Sequence, residues 1–229
     1  MAWVRSLIHL IVFYSGSVLV VGFAMLCVPF GLRATIFGAR CWGKWHHWCV
    51  RWILGIRLQI EGELPQNGRL VIFKHESFFE TAELLALFDA PIAVMKQEAL
   101  DIPVWGRVAT AHGSIGVNRE AGGVALRRMI VAAKAARESG RPVILFPEGT
   151  RVPHGETPPL RAGFIGMYKA LGLPVVPIAI DSGKLWPSKA FVKKSGVIRL
   201  RVGAEIPAGL PRDEAEALVH AAINVLAHE

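Results

Sequence analysis

Three short stretches carry residue types that could do chemistry together. The first, Lys74-His75-Glu76-Ser77-Phe78-Phe79-Glu80, directly follows the apolar run LVIF. A histidine at a strand end with a carboxylate five residues later can form a base–orienter pair. The carboxylate fixes the tautomer and stabilises the imidazolium that forms when the other ring nitrogen takes a proton. The second, Phe146-Pro147-Glu148-Gly149-Thr150-Arg151, follows the run VILF. Gly149 lets the backbone turn sharply and come close to a ligand, and Arg151 offers a planar fork matched to a phosphate. The third, Gly113-Ser114-Ile115-Gly116-Val117-Asn118-Arg119, ends in a second arginine. Taken singly, each has a plainer explanation: a structural His–Glu pair, a Pro-Glu-Gly turn, a surface arginine.

Other chemistries find less support. HGSIG lacks the first glycine of a GxSxG nucleophile elbow, because His112 stands there. Gly38 to Lys44 reads GARCWGK, but Trp45 replaces the hydroxyl residue of a P-loop and no strand precedes it. His46 and His47 point about 100° apart on a helix, which suits interfacial histidines better than a metal pair. Cys27, Cys41 and Cys49 lie outside the three stretches and form no CxxC, so neither a disulfide framework nor a cysteine nucleophile is indicated, and a reducing compartment fits.

In this order, HESFFE, GSIGVNR and FPEGTR resemble the motif blocks of the lysophosphatidic acid acyltransferase (PlsC-like glycerolipid acyltransferase) family. The first block there is N-H-x-S-x-x-D, matched by His75, Ser77 and, with Glu in place of Asp, Glu80; Lys74 replaces the Asn. The second is G-x-I-x-x-x-R, matched by Gly113, Ile115 and Arg119. FPEGTR matches throughout, and Val175-Val176-Pro177-Ile178 matches the apolar fourth block. Lys96-Gln97-Glu98 resembles the family's K-x-E segment. The resemblance covers roughly residues 56–205.

It implies an O-acyltransferase that moves an acyl group from acyl-CoA or acyl-carrier protein, used as co-substrate with no further cofactor and no metal, to the sn-2 hydroxyl of lysophosphatidic acid. His75 would be the base and Glu80 its orienter. Lys96, Arg119 and Arg151 would bind the phosphate, Glu148, Gly149 and Thr150 would be further substrate-binding residues, and Glu148 would hold the loop and Arg151 rather than transfer a proton. The longer Glu80 would fit if the following helix starts about 1 Å further back. Another lysophospholipid or lyso-ornithine lipid as acceptor, or a non-catalytic lipid-binding protein, are the competing readings.

The elements needed to hold these residues are legible in the pattern. Strands are predicted at 57–60, 69–73, 92–95, 114–117, 143–146, 175–180 and 197–202, and helices at 79–88, 122–139, 162–171 and 213–227. Alternation of this kind argues an α/β domain with a mixed, largely parallel sheet flanked by helices, spanning 56–229.

Residues 1–55 are expected to form an N-terminal membrane anchor and an amphipathic interfacial helix. No charge occurs between residues 6 and 32, and a helix of that length is roughly 40 Å long, more than the ~30 Å hydrocarbon core. It exceeds a signal peptide's apolar region, so a retained anchor is expected, though Gly16, Gly22 and Pro29 leave a re-entrant or shallow path open. Further on, Arg33, Arg40, Lys44, His47 and Arg51 share a helical face, with the tryptophans on the rest, as in a helix lying at the headgroup level.

Bulk composition agrees. The 229 residues are 52% hydrophobic, with a mean hydropathy of +0.40. Of the net charge of +8, six positive charges fall in residues 1–60, where no Asp or Glu occurs. Interleaved with tryptophan, this basic stretch favours anionic lipid as partner over nucleic acid. It also places the catalytic domain on the cytoplasmic face of a membrane, with a bacterial inner membrane in view.

Overall fold

The computed structural model describes residues 1–66, 68–118 and 122–229. Leu70–Phe73 is wholly buried, with Leu70 and Ile72 facing one core and Val71 and Phe73 the other. A short strand that is apolar on both faces must lie inside a covered sheet. It is the second of the strands Ile56–Glu61 (β1), Leu70–Phe73 (β2), Ile92–Lys96 (β3), Ile115–Val117 (β4), Val143–Leu145 (β5), Val175–Ile180 (β6) and Gly196–Val202 (β7). They form one sheet in the order β1-β7-β6-β2-β5-β3-β4. Among the described residues, β6 and β7 pair antiparallel and the other five strand pairings are parallel. The sheet is therefore mixed and largely parallel, with β2 at its centre.

The helices are Ala2–Cys27 (α1), Leu32–Cys49 (α2), Phe78–Leu87 (α3), Gln97–Leu100 (α4), Trp105–His112 (α5), Gly122–Glu138 (α6), Ala162–Leu171 (α7) and Arg212–Ile223 (α8). One face of the sheet is covered by α6, α7 and α8, through Met129, Phe164, Tyr168 and Val219. The other is covered by α3 and the turn after α2, through Phe79, Leu84, Val50 and Leu54. All seven expected strands form. Helices α4 and α5 were not expected: only Gly106, Val108 and His112 of α5 are buried, too sparse a stripe to signal a helix. Helix α8 stops at Ile223 rather than 227.

Among the described residues, one helix is long and apolar enough to cross a membrane, running with its last turn over Ala2–Phe30. It has no break at Gly16 or Gly22; the chain turns at Pro29 and Gly31 instead. It does not stand apart from the domain. A side chain on Gly16 would meet Trp45 at 2.2 Å, and one on Gly43 would meet the backbone of Leu85 at 2.7 Å. These glycines let α1 pack on α2, and α2 on α3. Trp42 donates to Ser17 Oγ (3.1 Å) and Trp45 to the Phe13 carbonyl (3.2 Å).

The expectation for residues 33–54 is corrected accordingly. Trp42 and His46 are buried in the middle of this helical layer, whereas Phe37, Trp48 and Trp52 are exposed. At successive steps of three or four, Phe37 and Trp48 share the outer face with Arg33, Arg40, Lys44 and Arg51. The basic and aromatic residues are thus interleaved on one surface, not segregated to opposite ones.

Candidate active site

Helix α3 begins immediately after β2, and its start builds the base. Ser77 is the N-cap: its Oγ accepts from Phe79 N (3.0 Å), while Glu80 reaches back to accept from Ser77 N (2.7 Å). This is the reciprocal S-x-x-E capping box. The same Glu80 Oε1 accepts from Glu76 N (2.6 Å) and lies 2.9 Å from His75 Nδ1, and Oε2 accepts from the hydroxyls of Ser77 (3.0 Å) and Ser182 (2.7 Å).

The carboxylate is wholly buried yet receives five donors, which is what a buried charge needs. Burial alone would raise its pKa, but the His75 ring, the Ser77 amide and the Ser182 hydroxyl outweigh burial and hold it below its ordinary range. Glu80 is therefore ionised and can only accept. That assigns the proton to His75 Nδ1 and leaves Nε2 with a free lone pair. Glu80 reaches the His75 ring from within the capping box of α3, which starts at Phe78.

The FPEGTR loop packs against this pair. Phe146 stacks on the His75 ring with centroids 4.1 Å apart. Glu148 Oε2 accepts from His75 N (3.2 Å), and its Oε1 is 2.9 Å from Lys74 Nζ. Lys74 is itself buried and donates to the Glu156 carbonyl (2.9 Å) and Asn224 Oδ1 (2.7 Å), with Glu148 as its ion-pair partner. Val152 N donates to the His75 carbonyl (2.8 Å). Gly149 turns the loop at φ 68°, a left-handed conformation that glycine accepts without strain. The His75 side chain keeps 15% of its surface exposed, and Thr150 and Arg151, directly after Gly149, are exposed.

Glu148 thus ties the loop to β2 through Lys74 and the His75 backbone; among the described residues Arg151 is not one of its partners. Burial pushes the Glu148 carboxyl above its ordinary range against the pull of Lys74 and His75. The two other carboxylates near the base in sequence are engaged elsewhere. Glu76 faces His154 Nδ1 (3.0 Å) and accepts from Gly183 N (2.8 Å). Glu83 holds His46 Nδ1 (2.9 Å) and His47 Nδ1. His46 is therefore a buried partner of α3 and not an interfacial histidine.

Lys96 is exposed at the C-terminal end of β3, at the same edge of the sheet as His75 and Glu148. Arg119 falls outside the described residues; Ile115 and Gly113 lead to it, with Gly113 closing α5 at φ 103°. Residues 38–44 lie within α2 and form no phosphate loop. Sequence reasoning missed Ser182, which follows β6 outside every motif block, and it gave Lys74 and Phe146 no role.

This arrangement can accept a proton at Nε2 and hold the resulting charge on a buried ion pair. The cysteines sit in α1 and α2, away from the loops that carry the dyad.

The family model described as Acyltransferase matches residues 55–181. A Pseudomonas aeruginosa 1-acyl-sn-glycerol-3-phosphate acyltransferase is 30% identical over 178 residues, covering 77% of this chain and 69% of that protein. A protein of the same description from Limnanthes douglasii is 31% identical over 147 residues, 62% of this chain; the chain spans about half, 52%, of that relative's length. The crystal structure of the 1-acyl-sn-glycerophosphate (LPA) acyltransferase PlsC from Thermotoga maritima superposes with a TM-score of 0.77 at 21% identity, over 98% of this chain and 95% of that one. At that identity the likeness speaks for the fold.

Proposed function

The chain belongs to the acyltransferase family, and from that premise we propose that it esterifies the free sn-2 hydroxyl of lysophosphatidic acid, forming phosphatidic acid at a membrane surface. The observation that carries this reading is the ionised, five-fold hydrogen-bonded Glu80 behind His75, held against the loop that presents Arg151. The relatives named above, described as acting on 1-acyl-sn-glycerol-3-phosphate, support the same acceptor.

The acceptor hydroxyl gives its proton to His75 Nε2 as its oxygen attacks the thioester carbonyl carbon. The tetrahedral intermediate collapses with loss of the C–S bond, and the thiolate takes the proton back from the imidazolium. The products are an ester and a free thiol, so the balance closes with no acyl-enzyme. A thioester is already activated, so a positioned base suffices. Glu80 stabilises the transient imidazolium. Backbone N–H groups around Gly149 stabilise the oxyanion. Arg151, with Lys96 and Arg119, supplies cationic contacts for the phosphate.

The thioester belongs to acyl-CoA or acyl-carrier protein, both water-soluble, whereas acceptor and product are lipids. A domain docked on α1 and α2 meets both, on the cytoplasmic face, where the basic residues of α2 face anionic headgroups.

The test is a panel of acceptors of matched chain length: lysophosphatidic acid, other lysophospholipids and lyso-ornithine lipid, each offered with labelled acyl-CoA and acyl-carrier protein. Lysophosphatidic acid should give the highest kcat/KM. A preference for an acceptor without a phosphomonoester overturns the assignment.

A further inference from the structure

Arg151 borders a cavity of about 220 Å³ that the motif blocks do not foresee. Its walls come from three places far apart in sequence: His9 and Phe13 of α1, Phe78 at the start of α3, and Trp186 and Lys193 in the segment after β6. No Asp or Glu lines it. Lys193 Nζ lies 5.0 Å above the Trp186 ring and spends one donor on the Phe191 carbonyl (2.8 Å), leaving two. The segment is clipped to α1 by Lys193 N donating to Ser6 Oγ (2.8 Å).

His9 is 2% exposed, stacked on Phe13 and edge-on to Trp186, and its Nε2 has no partner among the described residues. A buried imidazole nitrogen left unpaired costs about 1–3 kcal/mol. A polar group arriving with a ligand would satisfy it, as it would the likewise unpartnered His46 Nε2 among the described residues. Two cations, one unpaired imidazole nitrogen, aromatic walls and no carboxylate suit a phosphomonoester joined to an apolar body.

We propose that α1 is a wall of the acceptor's headgroup site, in which Lys193 and His9 join Arg151 in holding the phosphate of the lysolipid. The inference rests on the acceptor reading above and adds to it. Phe78, the first residue of α3, lines the cavity, and Arg151 joins it from the FPEGTR loop that stacks on His75 through Phe146. The N-terminal helix then attaches the enzyme to the bilayer and also completes the site that a lipid enters.

The test uses the full chain in detergent micelles, with Lys193→Met, Lys193→Arg and His9→Phe compared with the unaltered protein. Lysophosphatidic acid and the monoacylglycerol of the same chain serve as acceptors. Lys193→Met should raise KM for lysophosphatidic acid at least fivefold with kcat changed less than twofold. Lys193→Arg should restore it, and His9→Phe should raise it about threefold. KM for the monoacylglycerol and for the acyl donor should be unmoved. An unchanged KM for lysophosphatidic acid in Lys193→Met overturns the inference alone, and a rise confined to the donor assigns the cavity to the donor instead. Unaltered protein that acylates only acceptors lacking a phosphomonoester overturns the acceptor reading and this inference together.

Discussion

The Ser182 hydroxyl donates to Glu80 Oε2 at 2.7 Å, joining the segment after β6 to the carboxylate that orients the base. Ser182 is wholly buried and also meets Ser77 Oγ (3.2 Å). A bond to a buried carboxylate contributes about 1.5–3 kcal/mol. Ser182→Ala should lower kcat about tenfold with little change in KM. It should also move the acid limb of the kcat profile to higher pH, because a carboxylate with one donor fewer stabilises the imidazolium more strongly. The longer side chain of Glu80 is what reaches Ser182, so the cost should shrink in a Glu80→Asp background. Equal losses in both backgrounds would show that Ser182 acts otherwise than through Glu80.

Lys74 has its ammonium committed to Glu148, Glu156 and Asn224. Removing one member of a buried pair strands the other, at about 3–5 kcal/mol. Lys74→Met should therefore lower the thermal midpoint in detergent sharply, and adding Glu148→Gln should recover part of the loss. No recovery in the double variant would mean that the pair is not the source of the effect.

Glu76 is pushed up to about 8, first by burial and then by the nearby Glu80 and Asp181 charges. A carboxyl whose folded-state pKa lies above its unfolded value of 4.5 binds more protons folded than unfolded. Its contribution to stability therefore falls as pH rises from about 4.5 to about 8. Glu76→Gln should flatten that decline in the thermal midpoint measured across this range. An identical slope in the variant would place the titrating group elsewhere.

Arg151 is exposed on the loop beside the base and makes no role in the core plausible for itself. Arg151→Ala should raise KM for lysophosphatidic acid about tenfold, the loss of about 1.4 kcal/mol from one charge-assisted contact. Arg151→Lys should recover only part, since a point charge lacks the fork. Unchanged KM in Arg151→Ala would remove the phosphate contact.

Much of this was legible in the chain. The buried runs at 70–73 and 175–180 are apolar on both faces, so they read as central strands, and the dyad and the FPEGTR loop fall directly after strands. What escaped has a physical reason in each case. Ser182 contributes through a contact across 102 residues, and a lone Ser in Asp-Ser-Gly carries no local signal. Ser77-Phe78-Phe79-Glu80 spells a capping box, but the chemistry of the block draws attention to the His–carboxylate pair rather than to the helix start. The docking of α1 and α2 on α3 depends on Gly16, Gly38 and Gly43 admitting close neighbours, and small residues in an apolar helix do not announce which surface they face. His46 lies on that buried side, so its pairing with Glu83 was hidden with it.

The most direct test is His75→Ala, assayed for transfer of a labelled acyl group to lysophosphatidic acid, with membrane attachment measured in parallel. A positioned general base contributes about 10²–10⁴-fold. Turnover should fall by that factor while the protein stays in the membrane fraction and Glu80→Asp keeps measurable activity. Turnover within tenfold of the unaltered enzyme would contradict the assignment of His75 as the base.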